Sequence, residues 1–344
     1  MSMPSALRAR GAIAFTSILL LTACSNSGYE PGSITSAPQK NTEARSAKPT
    51  LYVQLLKGDN GQSEVLAYRA KASGSFKTSQ PFCSTKNLGF ATGIATDTTG
   101  NVYVSYSTPN STDFGGPPYY IYVYKAHCGA QIAQIPDSFN EFGDPRQIAF
   151  GNGNFYVADQ YGYGGDDSAN VAICSLSEQQ CTGKLVGSGP ASLASVYGVA
   201  VDSAGNVYAS GYLTKSSLAA IVEWKGGKGK GRVIAKLHES GSAEFAGNMQ
   251  FDNQGNLLVA DNNTAIYVFA GCPSACALQE TLQLENVESV DFVLSPDNTT
   301  LYAVSDEGSV DVYAYNSSSG LTYEYSVTNG LTHAEYPYSI AVFK

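Results

Sequence analysis

Histidine and tryptophan are scarce in this chain, with three histidines and one tryptophan among 344 residues. No His-x-x-x-His pair occurs, and the one adjacent His-Glu step, His238-Glu239, has no second histidine near it, so the spacing that a histidine-held zinc or iron needs is missing. His127 sits beside Cys128, and His238 and His333 lie in separate stretches that only a fold can bring together. A Gly-x-Ser-x-Gly elbow is absent, which counts against a serine hydrolase. So are the Gly-Lys-Ser/Thr end of a phosphate loop and an Asp-x-Asp-x-Asp-Gly calcium loop. No catalytic residue is nominated. Charge is sparse too, at 14% of residues, and acids outnumber bases 29 to 20 for a net charge of −9. Phosphate backbones are bound by basic surfaces, so a nucleic-acid partner is excluded.

Long apolar runs are also missing. The N-terminal run, Gly11 to Leu21, follows Arg8 and Arg10 and ends in Leu21-Thr22-Ala23-Cys24. It is too short for a mature membrane span and reads as the core of an export signal. Leu-Thr-Ala-Cys resembles the lipobox of bacterial lipoproteins. That resemblance implies cleavage before Cys24, acylation of Cys24 and an anchor that does not cross the bilayer. An ordinary secretory peptide is the alternative. Ser25 permits sorting to an outer membrane, so the expected location is the cell membrane or the outer membrane. Residues 25–49 carry almost nothing apolar and cannot offset their ordering entropy. The expected divisions are therefore 1–23 (signal), 24–49 (lipidated Cys and tether) and 50–344 (one folded domain).

With Cys24 taken by lipid, six of the seven cysteines are left. Cys174 and Cys181 are near neighbours, as are Cys272 and Cys276, which leaves Cys83 for Cys128. An even remainder in an exported chain reads as disulfides. Cys272-Pro-Ser-Ala-Cys276 has neither the two-residue spacing of a redox motif nor a histidine partner.

What the chain does have is Gly, Tyr and a repeat. Gly93-Ile-Ala-Thr-Asp-Thr-Thr-Gly-Asn-Val-Tyr-Val104 returns as Gly198-Val-Ala-Val-Asp-Ser-Ala-Gly-Asn-Val-Tyr-Ala209, and again as Asn248-Met-Gln-Phe-Asp-Asn-Gln-Gly-Asn-Leu-Leu-Val259. Gln147 to Val157 is a shorter copy and Val290 to Tyr302 a degenerate one. Each copy is strand, tight turn, strand, with Asp capping the turn and Gly supplying positive φ. Third strands follow at Tyr119–Ala126, Ala169–Leu176, Leu218–Lys225, Thr264–Gly271 and Gly308–Tyr315, and fourth strands at segments such as Gly231–Leu237 and Leu321–Val327. Four antiparallel strands per unit of about fifty residues is the plan of a propeller blade.

The ends fix the number of blades. Leu51-Tyr52-Val53 is a second strand with no first, and Ser339 to Phe343 is a first strand with nothing after it. Paired together they complete a unit, and the second-strand positions become Tyr52, Tyr103, Tyr156, Tyr208, Leu258 and Tyr302. The predicted fold is all-β: a six-bladed β-propeller of four-stranded blades, closed by its N-terminal strands pairing with its C-terminal strand. The stretch from Gly198, and Phe251 to Asp261 followed by Ile266-Tyr-Val-Phe269, resembles the NHL repeat. No third strand here opens with the Arg usual in that family. The resemblance implies architecture and leaves activity open, since such propellers include binding scaffolds and enzymes.

Turns between strands one and two, and three and four, share one end and are short. The other end carries long loops such as Ser107–Pro118, Pro136–Arg146, Asp159–Ala169, Glu239–Gly247 and Thr328–Tyr338, and the working face is placed there. Aromatics recur just before the inner strands: Phe90, Phe142, Tyr197, Phe245, Tyr336 and Tyr338. They read either as a collar for a sugar, peptide or aromatic ligand, or as packing between blades. Asp144, Asp166, Asp167, Glu244, Glu288 and Asp291 lie on the same end. Asn248, Glu288 and Asp291 are the candidate set for Ca2+ or another divalent ion, as gluconolactonase-like propellers hold one; solvated loop carboxylates are the alternative. His238 and His333 at the mouth would parallel streptogramin-lyase-like propellers. Lys225-Gly-Gly-Lys-Gly-Lys-Gly-Arg232 reads as a hairpin tip, with contact to acidic headgroups as its other reading.

The expected function is a tethered, monomeric binding scaffold without cofactor, whose partner is an envelope protein, peptide or carbohydrate. The rival is a metal-dependent lactonase or lyase with its site at the channel mouth. An envelope assembly scaffold is a third reading.

Overall fold

The computed structural model describes residues 48–57, 62–86, 88–108, 116–136, 144–160, 169–237, 247–261, 264–284, 291–305, 307–331 and 335–343. The expected signal, Cys24 and the tether lie outside them. Blade 1 takes β1 (Thr50–Lys57), β2 (Gln62–Arg69) and β3 (Pro81–Thr85). Blade 2 is β4 (Phe90–Thr96), β5 (Val102–Thr108), β6 (Gly116–Tyr124) and β7 (Gln131–Pro136). Blade 3 is β8 (Pro145–Gly151), β9 (Asn154–Asp159), β10 (Asn170–Ser175) and β11 (Gln180–Val186). Blade 4 is β12 (Leu193–Val201), β13 (Val207–Leu213), β14 (Ala219–Trp224) and β15 (Arg232–Lys236). Blade 5 is β16 (Met249–Phe251), β17 (Leu257–Ala260), β18 (Ala265–Ala270) and β19 (Ala277–Gln283). Blade 6 is β20 (Phe292–Leu294), β21 (Thr300–Ser305), β22 (Ser309–Asn316) and β23 (Gly320–Val327), and the last strand, β24 (Glu335–Phe343), returns to blade 1.

Each blade is a four-stranded antiparallel sheet, and blade 1 has the order β24-β1-β2-β3. Thr50 pairs with Phe343 and Lys57 with Glu335, with one bulge between Gln54 and Leu55. The C-terminal strand thus fills the inner place of the first blade, as the orphan ends required. Closure leaves no inner strand without a neighbouring blade.

The repeated turn works as its residues dictate. Asp97 Oδ1 accepts from the backbone N–H groups of Thr99 (2.8 Å) and Asn101 (2.9 Å). Asp202 does the same with Ala204 (2.9 Å) and Asn206 (2.8 Å), and Asp252 with Gln254 (2.9 Å) and Asn256 (2.8 Å). Gly100, Gly205 and Gly255 close these turns at φ 84, 80 and 84. An L side chain rarely adopts such a φ.

The core is divided among the wedges between blades. Six apolar clusters form, one for each pair of neighbouring blades. The closing seam, for example, packs Leu51, Val53 and Val342 against Tyr302, Val304 and Val312. The recurring tyrosine fills these wedges: Tyr103 meets Phe150 of the next blade at 5.0 Å, and Tyr208 meets Phe251 at 5.0 Å.

Three disulfides form in the expected pairs. Cys83 on β3 reaches Cys128 in the β6–β7 turn, so this bridge joins blade 1 to blade 2. The other two each close a hairpin within one blade. Such bridges persist in an oxidising, extracytoplasmic compartment. No helix among the described residues is long and apolar enough to cross a membrane.

Candidate ligand site at the channel mouth

The six inner strands surround a central channel of about 380 Å³, lined by residues such as Thr96, Gln147, Val201, Phe251, Asp291 and Val342. Each inner strand starts at the long-loop end. The repeat places Gly93, Gln147, Gly198, Asn248, Asp291 and Ser339 at one level of the mouth. Thr92, Arg146, Tyr197, Gly247 and Tyr338 stand one step further out.

The inner level is latched across blades. Gln147 Oε1 accepts from the N–H groups of Val199 (2.9 Å) and Met249 (2.9 Å), and its Nε2 donates to Met249 O at 2.8 Å. One side chain of blade 3 therefore satisfies edge groups of blades 4 and 5. Asp291 collects Asn248 Nδ2, Ser339 Oγ and the Ile340 N–H (3.0 Å), which ties blade 6 to blades 5 and 1. Gly93 and Gly198 are glycine because neighbouring backbone is close. A Cβ there would stand 2.2 Å from Arg146 O and 2.3 Å from Gly247 O respectively.

The outer level gathers a polar cluster. Arg146 donates from Nη2 to Asp144 Oδ2 at 2.7 Å and from Nη1 to the Tyr338 hydroxyl. That second bond runs from blade 3 to blade 1, past blade 2. The Arg146 Nε is buried and has no hydrogen-bond partner among the described residues. Gln160 Nε2 donates to the Tyr197 hydroxyl at 3.0 Å, and the Gln160 N–H donates to Asp144 O at 3.0 Å. Buried Asp159 accepts from the Asp144 N–H at 2.7 Å and from Asn170 Nδ2 at 3.0 Å, which fixes the approach to Arg146.

Burial sets the electrostatics. It raises the Asp144 carboxyl, with Arg146 pulling the other way. Burial opposes the charge on Arg146, but Tyr338 and Asp144 outweigh it and the guanidinium stays charged. Tyr338 is raised by burial against the pull of Arg146. Asp291 is pushed up to about 6 by burial, opposed by its donors from Ser339, Asn248 and Ile340.

Of the aromatic collar, Tyr197 and Tyr338 are described, and their hydroxyls accept from Gln160 Nε2 at 3.0 Å and from Arg146 Nη1 respectively. Phe142 and Phe245, and the side chains of Phe90 and Tyr336, lie outside the described residues, as do Asp166, Asp167, Glu244, Glu288, His238 and His333. His127 is exposed on the opposite face, where its N–H donates to the Tyr52 hydroxyl at 3.0 Å. Asn248 and Asp291 do meet, yet both Asp291 oxygens already accept from protein donors. A cation would have to displace Asn248 and Ser339, so these residues do not fit a preformed metal cage. Among the described residues no three His, Cys, Asp or Glu side chains are grouped to hold an ion.

Arg146 and Gln147 were not singled out from sequence. The signal was a departure from the repeat: a long basic and a long amide side chain stand where two other copies have Thr92-Gly93 and Tyr197-Gly198.

The arrangement defines a class: a six-bladed propeller with a polar, tyrosine-flanked mouth. No protein-family model matches the chain, and no curated protein matches its sequence. Solved structures do match. A periplasmic gluconolactonase of Pseudomonas aeruginosa is 16% identical over 86% of this chain and 99% of that one, with a TM-score of 0.55. A chain from a nidogen/laminin complex is 15% identical over 85% and 98%, with a TM-score of 0.57. A Lactobacillus plantarum protein is 13% identical over 86% and 99%, with a TM-score of 0.53. At these identities the likeness is one of fold.

Proposed function

We propose that this chain is an extracytoplasmic, membrane-tethered propeller, NHL-like in its repeat, that binds an envelope carbohydrate or peptide at the long-loop mouth. The observation that carries the reading is Arg146. Its half-buried guanidinium is held at the mouth by Asp144 and Tyr338, and its Nε has no hydrogen-bond partner among the described residues, which leaves that N–H for a ligand oxygen once the cluster opens. A buried donor without a partner costs about 1–3 kcal/mol, which a bound acceptor recovers. Tyr197 and Tyr338 add flat, amphipathic surface of the kind that sugars and peptides stack on. Propellers serve binding in some proteins and catalysis in others, and no nucleophile with an adjacent base is present among the described residues of this mouth.

The test is thermal unfolding of the purified chain with peptidoglycan disaccharide-peptides, a neutral oligosaccharide and gluconate. A ligand that saturates the site raises the melting temperature. One of these is expected to stabilise the native chain and to lose that effect in Arg146→Gln. Equal stabilisation of both proteins, or of neither, counts against the mouth as the site. The rival reading, a divalent-metal lactonase or lyase, would need a cation to displace Asn248 and Ser339 from Asp291. Elemental analysis decides it: one metal per chain, lost in Asp291→Ala or Asn248→Ala, would replace the binding reading.

A further inference from the structure

The short-turn end also carries a signal. Lys225, Lys228 and Lys230 are exposed at the tip of the β14–β15 hairpin in blade 4. Gly226, Gly227 and Gly229 hold this tip at φ 60, 65 and 79, and the Gly226 N–H is anchored on Asn206 Oδ1 at 2.9 Å. Beneath it Trp224 is fully buried, so the lysines stand on a firm base. Their neighbour Arg232 is already paired with Glu223 at 2.7 Å, whereas no ion pair engages the three lysines among the described residues.

The chain also enters the propeller at this end. Thr50 opens β1 level with Phe343 and Arg69, and Pro49 O accepts from the Ala70 N–H at 3.0 Å. The Phe343 ring lies against the turn at Gly100. The β2–β3 connection on the same side exposes Lys71 and Lys77. In a ring of six, blades 1 and 4 stand opposite each other. The entry point with Lys71 and Lys77, and the tip with Lys225, Lys228 and Lys230, therefore mark opposite rims of one face. Among the acids in the turns of this face, Asp97, Asp202, Asp252 and Asp297 cap their own turns and Glu178 accepts from Gln180 Nε2 at 3.0 Å, and none of them is ion-paired with the three lysines among the described residues.

We propose that the short-turn face docks on anionic lipid headgroups through Lys225, Lys228 and Lys230, which turns the long-loop mouth away from the membrane. The orientation rests on the tethered reading; the lipid contact does not. Lysines near an anionic surface contribute about 1 kcal/mol each, screened by salt. Such a contact is weak alone and is favoured when a tether keeps the surface near.

The test uses the full chain carrying Cys24→Ala, so that no acyl group contributes, sedimented with phosphatidylcholine vesicles with or without about 30% phosphatidylglycerol. Binding is expected on the anionic vesicles only, and it should fall as salt rises. The triple variant Lys225→Gln/Lys228→Gln/Lys230→Gln is expected to bind roughly a hundredfold more weakly. Its melting temperature should be unchanged, while Lys86→Gln/Lys215→Gln, on the long-loop side, binds as before. Equal binding to neutral vesicles, full binding by the triple variant, or salt-independent binding overturns the proposal. So does release by inorganic phosphate beyond that caused by chloride of equal ionic strength, which would assign the lysines to free phosphate. Failure to find lipid on native Cys24 would remove the tether and leave the vesicle result standing.

Discussion

Asp291 accepts bonds from two other blades while buried, and the two facts oppose each other. Burial raises its carboxyl to about 6, whereas in the unfolded chain it titrates near the ordinary value of about 4. Between those values the folded state binds more proton than the unfolded one, so stability is full below pH ~4 and declines as pH rises toward about 6. The loss is of order 2–3 kcal/mol. Urea midpoints across this window should fall for the native chain relative to Asp291→Asn, and parallel profiles would contradict the assignment. A second residue effect lies in blade 5, where Leu258 replaces the recurrent tyrosine. Asp252 Oδ2 is met instead by the Tyr315 hydroxyl of blade 6 at 2.9 Å. Tyr315→Phe should therefore cost about 1 kcal/mol in chemical unfolding, and an unchanged midpoint would show that bond to be idle.

Among the elements, the turns and second strands were the most legible. Asp, Gly and Asn at fixed offsets state a capped reversal, and the structure caps three of the turns in one way. The long loops carry no such rule, and the contacts between Arg146 and Tyr338, 192 residues apart, follow from ring geometry rather than from any local pattern. The wedge clusters are equally silent in sequence, because alternation shows that a strand has two faces without naming the neighbour of each. The bridges differ for a related reason. Cys83 and Cys128 are 45 residues apart and join two blades, whereas the hairpin bridges span 7 and 4 residues. In the chain-entropy account the long bridge contributes about 4 kcal/mol and each short one about 2. Replacing Cys83 and Cys128 by serine should lower the melting temperature more than replacing Cys272 and Cys276, and the reverse order would contradict this.

For the whole molecule, the mouth exists because the ring closes. β24 supplies Tyr338 to Arg146, and Ser339 and Ile340 to Asp291, so the strand that completes blade 1 also completes the candidate site. The seam it forms buries Leu51, Val53, Ile340 and Val342 with residues of blade 6. Closure was readable from the two incomplete units at the chain ends, whereas the division of labour between the two faces required knowing where Thr50 and the basic hairpin lie. The most direct measurement is thermal unfolding of a chain ending at Ser339. Loss of the last strand residues should lower the melting temperature by roughly 10 °C or more, since several kcal/mol of buried apolar side chains go with them. A truncated chain that melts like the native one would contradict closure through β24, and with it the mouth described above.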